Sequence, residues 1–144
     1  MEIGKAFYPS YTGTRDFNQQ MVRIANATGF GAAADDYATR GLDLNEYLIQ
    51  NKAATFFLRI QGEAMINAGI HHGDLVVVDR SITPRSGHIV IANLNGEMLI
   101  RRFDKQFNKM RLIPETDRLA PIDIDPGCES FSIWGVVTHT IHRH

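Results

Sequence analysis

Gly62-Glu63-Ala64-Met65 follows the apolar run Thr55-Phe56-Phe57-Leu58-Arg59-Ile60 and precedes Gly69-Ile70-His71-His72-Gly73-Asp74-Leu75-Val76-Val77-Val78-Asp79. A strand that ends in a tight glycine turn and aims one small side chain outward is a common way to present a nucleophile. The side chain presented here is a methyl group, that of Ala64. Arg101 lies in the later segment Glu97-Met98-Leu99-Ile100-Arg101-Arg102-Phe103. A guanidinium stays protonated in proteins, so it cannot take a proton from an attacking group. Neither position supplies the chemistry that its setting suggests.

Other reactive side chains offer no replacement. Ser81, Ser86, Ser130 and Ser132 fall in turns or at strand starts, and no lysine stands at a suitable strand position beside them. Lys105 and Lys109 fall in the loop after the Arg101 strand. Cys128, within Asp125-Pro126-Gly127-Cys128-Glu129, has no histidine base near it in sequence and reads as a loop thiol. His139, His142 and His144 crowd one end of the chain. On a strand His139 and His142 point to opposite faces. No acidic or cysteine residue joins these histidines at ligand spacing, so they read as a polar tail. His71-His72 reads as a solvated turn. No metal and no cofactor is expected.

The 144 residues suit one domain plus an arm. With 44% hydrophobic and 22% charged residues, the composition is that of an ordinary globular protein. A net charge of −1 gives no global pull towards nucleic acid, so direct sequence-specific DNA binding is not expected. One cysteine excludes an internal disulfide framework. No apolar run approaches the roughly 20 residues needed to cross a bilayer, and Met1-Glu2-Ile3-Gly4-Lys5 has no secretory pattern. No membrane association and a cytoplasmic location are expected.

Residues 1–31 read as an irregular arm: turns at Tyr8-Pro9-Ser10-Tyr11-Thr12-Gly13, then a short helical or extended piece over Phe17 to Ala27. Leu42 to Gln50 predicts a short helix with Asp43 as N-cap and Glu46 three residues on. Leu44, Tyr47 and Leu48 share one face of it. From Ala54 onward the pattern is β. The run Leu75 to Val78 suits a strand covered on both sides. His88 to Leu94 and Glu97 to Phe103 flank Asn95-Gly96, the strongest short hairpin signal. Met110 to Pro114 and Ser132 to Thr138 are further strands, with Pro114, Pro121 and Pro126 punctuating the loops. The expected fold is mostly β: a small, bent, closed antiparallel structure with one short helix and a flexible N-terminal arm.

The block around Ala64 resembles the catalytic core of the LexA/UmuD family of self-cleaving S24 serine peptidases, on its UmuD side. That family reads Gly-Asp-Ser-Met at the turn, with the serine as nucleophile and a lysine in a later strand as general base. Glu63 stands at the Asp position, Ala64 at the Ser position and Arg101 at the Lys position, with the same spacing. Gly62, Glu63 and Met65 match the turn and former oxyanion region. The segment Gly29-Phe30-Gly31-Ala32-Ala33-Ala34-Asp35-Asp36-Tyr37 matches the surroundings of the family's self-cleavage bond, which falls here between Thr28 and Gly29. Thr28 departs from the usual Ala or Cys. Trp134-Gly135-Val136-Val137 matches an aromatic-Gly-Val-Val strand, with Trp134 as a core residue. The resemblance runs from about residue 26 onward and implies an arm over 1–31 and a peptidase-type domain over 32–144.

The resemblance also implies a biology: dimerisation, contact with the RecA–single-stranded-DNA filament in the SOS response, loss of the arm by self-cleavage, and assembly with a UmuC-like Y-family polymerase for translesion synthesis. With Ala64 and Arg101 in the dyad positions, the chain is expected to be an accessory subunit that cannot cleave itself. It would act as a homodimer, or as a decoy in mixed dimers with an active homologue. The alternative is an active autopeptidase whose sequence here carries inactivating substitutions. Arg101 alternates with Leu99 and Phe103 and needs a partner or water beside the pocket. Glu63 is one expected partner, the arm another, and solvent the third.

Overall fold

The computed structural model describes residues 2–7 and 43–144. The turns at Tyr8 to Gly13, the piece over Phe17 to Ala27, the Thr28–Gly29 bond and the 31/32 boundary lie outside the described residues. One eight-stranded antiparallel sheet dominates, formed by β1 (Ile3–Phe7), β2 (Thr55–Ile60), β3 (Leu75–Asp79), β4 (Ile89–Leu94), β5 (Glu97–Gln106), β6 (Lys109–Ile113), β7 (Ile122–Ile124) and β8 (Phe131–Ile141). The strand order is β1-β2-β3-β8-β4-β5-β6-β7. The mostly β antiparallel fold expected from the sequence is observed.

The central strands are apolar because both of their faces are covered. Val76, Val77 and Val78 are fully buried, as are Val90, Ile91 and Ala92 of β4. Val76, Val78 and Ile91 join one core cluster with Leu58, Ile60, Ala64, Met65 and Ile100. Val90 and Ala92 join a second, with Phe103, Leu112, Ile124 and Val136. Neighbouring residues of β4 thus point into different cores, as the two-residue period of a strand requires. Each buried aliphatic side chain contributes about 1.5–3 kcal/mol of transfer free energy.

Local signals set the connections. Asn95 (φ 53°) and Gly96 (φ 82°) both have positive φ, the type I′ requirement that the Asn-Gly pair meets. Gly135 answers to a different constraint: a Cβ there would lie 2.5 Å from Val78 Cγ1, so glycine lets β8 pass close to β3. The helix, α1 (Leu44–Leu48), starts at Asp43, whose side chain accepts from the amides of Asn45 and Glu46. Its expected apolar face is not a core face: Leu44 and Tyr47 are exposed, and only Ile49, just past the helix, is buried.

Two strands escape the sequence reading. β1 lies inside the segment read as irregular arm, and it pairs antiparallel with β2, Ile3 opposite Ile60 and Phe7 opposite Phe57. β7 is a three-residue strand against β6. No helix among the described residues is long and apolar enough to cross a membrane.

Candidate functional site

Gly62 takes φ +87°, a conformation open to glycine without strain, and turns the chain sharply out of β2. The turn is held from several sides. The Gly62 amide donates to His72 Nδ1 at 2.9 Å. The Ala64 carbonyl accepts from the Glu115 amide at 2.8 Å, and the Glu115 carbonyl accepts from Asn67 at 2.8 Å. A short 3₁₀ turn, Ile66–Ala68, follows and ends at Gly69 in the left-handed conformation. Ala64 (5% exposed) and Met65 are buried in the first core cluster, so the methyl at the nucleophile position packs against apolar neighbours.

Arg101 lies on β5 opposite Val90 of β4, and is 5% exposed. Its partner is Glu2. The Arg101 Nη1 group donates to both Glu2 oxygens, at 2.7 and 2.6 Å, and to the carbonyl of Ile100 at 2.7 Å. Glu2 also accepts from the Ile100 amide at 3.0 Å through its side chain and from the Gln61 amide at 2.5 Å through its carbonyl. One residue therefore ties the strand end before Gly62 to the strand that carries Arg101. Arg101 Nε is buried with no hydrogen-bond partner among the described residues.

These contacts correct the expectation of an Arg101–Glu63 pair. Glu63 is exposed and faces Arg118 at 3.8 Å, a loose surface contact. The reason is topological: β1 places an acid at the β2–β5 junction, and the Glu63 side chain lies outside that junction. The alternative of a contact with the N-terminal segment is the one observed.

The possible substitutes for a dyad find other partners. The Ser86 hydroxyl donates to the Lys105 carbonyl and accepts from its amide, so this Ser–Lys meeting is with the backbone. Ser81 Oγ donates to Asp79. Ser130 Oγ donates to Asn95 and lies 3.3 Å from Cys128 Sγ. Trp134 is partly buried, as expected, and its ring meets Phe56 and lies under the Arg80 guanidinium.

The histidines depart from the sequence reading. His142 Nδ1 makes a close hydrogen bond to Asp74 Oδ1, and His71 Nδ1 lies 3.6 Å from Asp74 Oδ2. An acid does join these histidines, and His71 is part of the cluster. That corrects the expectation that no acid joins them, while both imidazoles stay partly exposed. Residue spacing offers no cue to this, because the β8–β3 register, Leu75 opposite Ile141, is what brings Asp74 and His142 together. Burial acts on Asp74 to raise its pKa, but hydrogen bonds from the His71 amide and from His142, with the charge of both imidazoles, outweigh it and hold the carboxyl below its ordinary value. A depressed carboxyl adds stability above its unfolded pKa that is lost as pH falls through the folded one.

The comparisons with known proteins agree with this frame. A family model described as peptidase S24-like matches residues 20–138. Protein ImpA of Salmonella typhimurium is 45% identical over 120 residues, covering 80% of this chain and 77% of the relative. Protein SamA of Salmonella typhimurium is 42% identical over 120 residues, 80% of this chain and 79% of the relative. Protein MucA of Escherichia coli is 39% identical over 118 residues, 82% of this chain and 80% of the relative.

Proposed function

The chain belongs to the peptidase S24-like family, and we propose that it is a UmuD-type accessory subunit of an error-prone translesion polymerase that does not cleave itself. Its similarity to ImpA, SamA and MucA over four-fifths of its length supports a UmuD-type role in SOS mutagenesis. Partners of that role are a second copy or a UmuD-like homologue, a UmuC-like Y-family polymerase and the RecA–single-stranded-DNA filament. The setting is the cytoplasm.

The Glu2–Arg101 pair carries the non-cleaving part of the reading. A Ser–Lys dyad needs an oxygen that attacks and an amine that is neutral long enough to take its proton. Ala64 has no oxygen to offer. At the base position stands a permanent cation, and the carboxylate beside it favours a charged group there. The local electrostatics thus oppose a neutral base, beyond the loss of the two reacting groups. Loss of one member of a coupled pair already removes most of its catalysis. The scaffold keeps the strands and turn that position the site, which leaves binding as its remaining work.

Incubation of the purified chain with activated RecA filaments, or alone at high pH, tests this. The chain is expected to stay whole. A product that starts at Gly29, or an ester-linked adduct on the chain, overturns the reading. Co-purification with a Y-family polymerase from the same source is expected for the accessory role, and its absence at micromolar concentrations counts against that role.

A further inference from the structure

The cluster at the start of β3 has no part in the reading above. We propose that His71, Asp74 and His142 form a binding site for one zinc ion, which joins the turn before β3 to the segment after β8. One donor atom from each residue lies within 4.8 Å of the other two. Two imidazole nitrogens and one carboxylate oxygen are an established donor set for zinc. The rings of His71 and His142 have centroids 4.6 Å apart, and both present Nδ1 to the same carboxylate.

Two of the three ligands are fixed before any ion arrives. Asp74 is 2% exposed, and its Oδ2 accepts from the His71 amide at 2.8 Å. The Asp74 amide donates back to the His71 carbonyl at 3.0 Å, and Gly73 (φ +88°) donates to Ile60. The turn 71–74 is thereby a closed unit. The third ligand comes with the sheet. Leu75 pairs with Ile141, so the next antiparallel position sets Asp74 against His142.

One atom is left unsatisfied. Among the described residues, His71 Nδ1 is buried and has no hydrogen-bond partner, and the Asp74 carboxylate oxygen, at 3.6 Å, is beyond hydrogen-bond reach. A buried polar atom without a partner is costly, and an ion between it and Asp74 removes the defect. Ligands about 2.0–2.2 Å from zinc lie about 3.4 Å from one another in a tetrahedron. The His71–Asp74 separation already suits that distance. His142, 39% exposed and beyond the last strand, has room to draw back from Asp74 by about an ångström as the ion replaces the hydrogen between them. The fourth position is left to water, since both histidine side chains are partly open to solvent.

Equilibrium dialysis of the tag-free, chelator-stripped chain against zinc chloride tests the assignment. Wild type is expected to hold one zinc per chain. His142→Ala and His71→Ala are each expected to weaken it at least about tenfold, more than the typical loss of an outer-shell partner. His139→Ala is expected to bind as wild type does. At free zinc about a hundred times the Kd, the thermal midpoint of wild type should rise by about 5–10 °C and that of His142→Ala should not. His142 follows the last strand, so a circular dichroism spectrum like that of wild type is expected for its variant. Failure of wild type to retain zinc at micromolar concentration overturns the proposal. So does undiminished affinity in His142→Ala, or an equal loss in His139→Ala.

Discussion

Each end of the described chain is tied to the sheet by a buried carboxylate and a nitrogen base, and the two ties differ in kind. At the N-terminal end the acid stands just before β1, as Glu2, and the cation is built into the sheet as Arg101. At the C-terminal end the acid is built in, as Asp74, and the base arrives with the tail, as His142. The first tie has a guanidinium as its cation. Both of its side chains are mostly buried, at 6% and 18% exposure. The second has an imidazole as its base, and that side chain stands 39% exposed. A closed pair with a permanent cation fixes a strand, whereas an open one with a weak base leaves a ligand free to be exchanged. A carboxylate with a guanidinium thus makes a lock at one end, and a carboxylate with an imidazole makes a candidate ion site at the other.

The largest effect should come from restoring the reacting groups with and without the lock. Ala64→Ser with Arg101→Lys and Glu2→Gln is expected to cleave itself at least about tenfold faster at neutral pH than the same double revertant with Glu2 in place. The cause is that an adjacent carboxylate raises the pKa of an amine by about one to three, each step costing tenfold in neutral base. Quantifying the product that starts at Gly29 checks this, and equal rates would show that Glu2 does not govern the site.

Next in size is the lock itself. Glu2→Ala should lower stability in urea by about 2–4 kcal/mol, because it leaves Arg101 buried without its acid. This lies towards the low side for such pairs because β1 is an edge strand that can peel away and admit water. Glu2→Gln combined with Arg101→Met should regain most of the loss, since an apolar replacement of both partners is often neutral. A double variant no better than Glu2→Ala would mean that the strand contacts, and not the charges, matter.

The seam that carries the second tie can be strained separately. Gly135→Ala puts a methyl group against Val78 and should cost about 1–3 kcal/mol by overpacking β8 on β3. The smallest effect is expected for His142→Ala with chelator present, within about 1 kcal/mol of wild type, because the imidazole is 39% exposed and Asp74 keeps its hydrogen bond from the His71 amide. A loss as large as that of Glu2→Ala would erase the distinction between the two ties.

What the sequence revealed was mainly local. Asn95-Gly96 announced its hairpin, Asp43 its helix cap, and the Val76 to Val78 run a strand covered on both faces. Each depends on residues within a few positions of one another. The two ties depend on partners far apart in the chain. Glu2 lies 99 residues from Arg101, and Asp74 lies 68 from His142. No period or spacing rule links such pairs; only the strand order does. Glu63 looked like the natural partner for Arg101 because it was near in the motif, and the sequence held no sign that the first five-residue strand would supply a closer acid. β1 itself was hidden because Ile3-Gly4-Lys5-Ala6-Phe7 is short and carries a glycine, whose flexibility argues against a strand until β2 is there to pair with.

That first strand changes what a break in the backbone would mean. Residues 8–42 join β1 to the rest of the sheet in sequence, but β1 is also held by hydrogen bonds to β2 and by its glutamate. A protease nick anywhere in that connection would yield two polypeptides that still travel as one particle. Denaturing electrophoresis would report a cut that gel filtration misses, and the small fragment would dissociate once both its pairing with β2 and its carboxylate's hold on the guanidinium were lost.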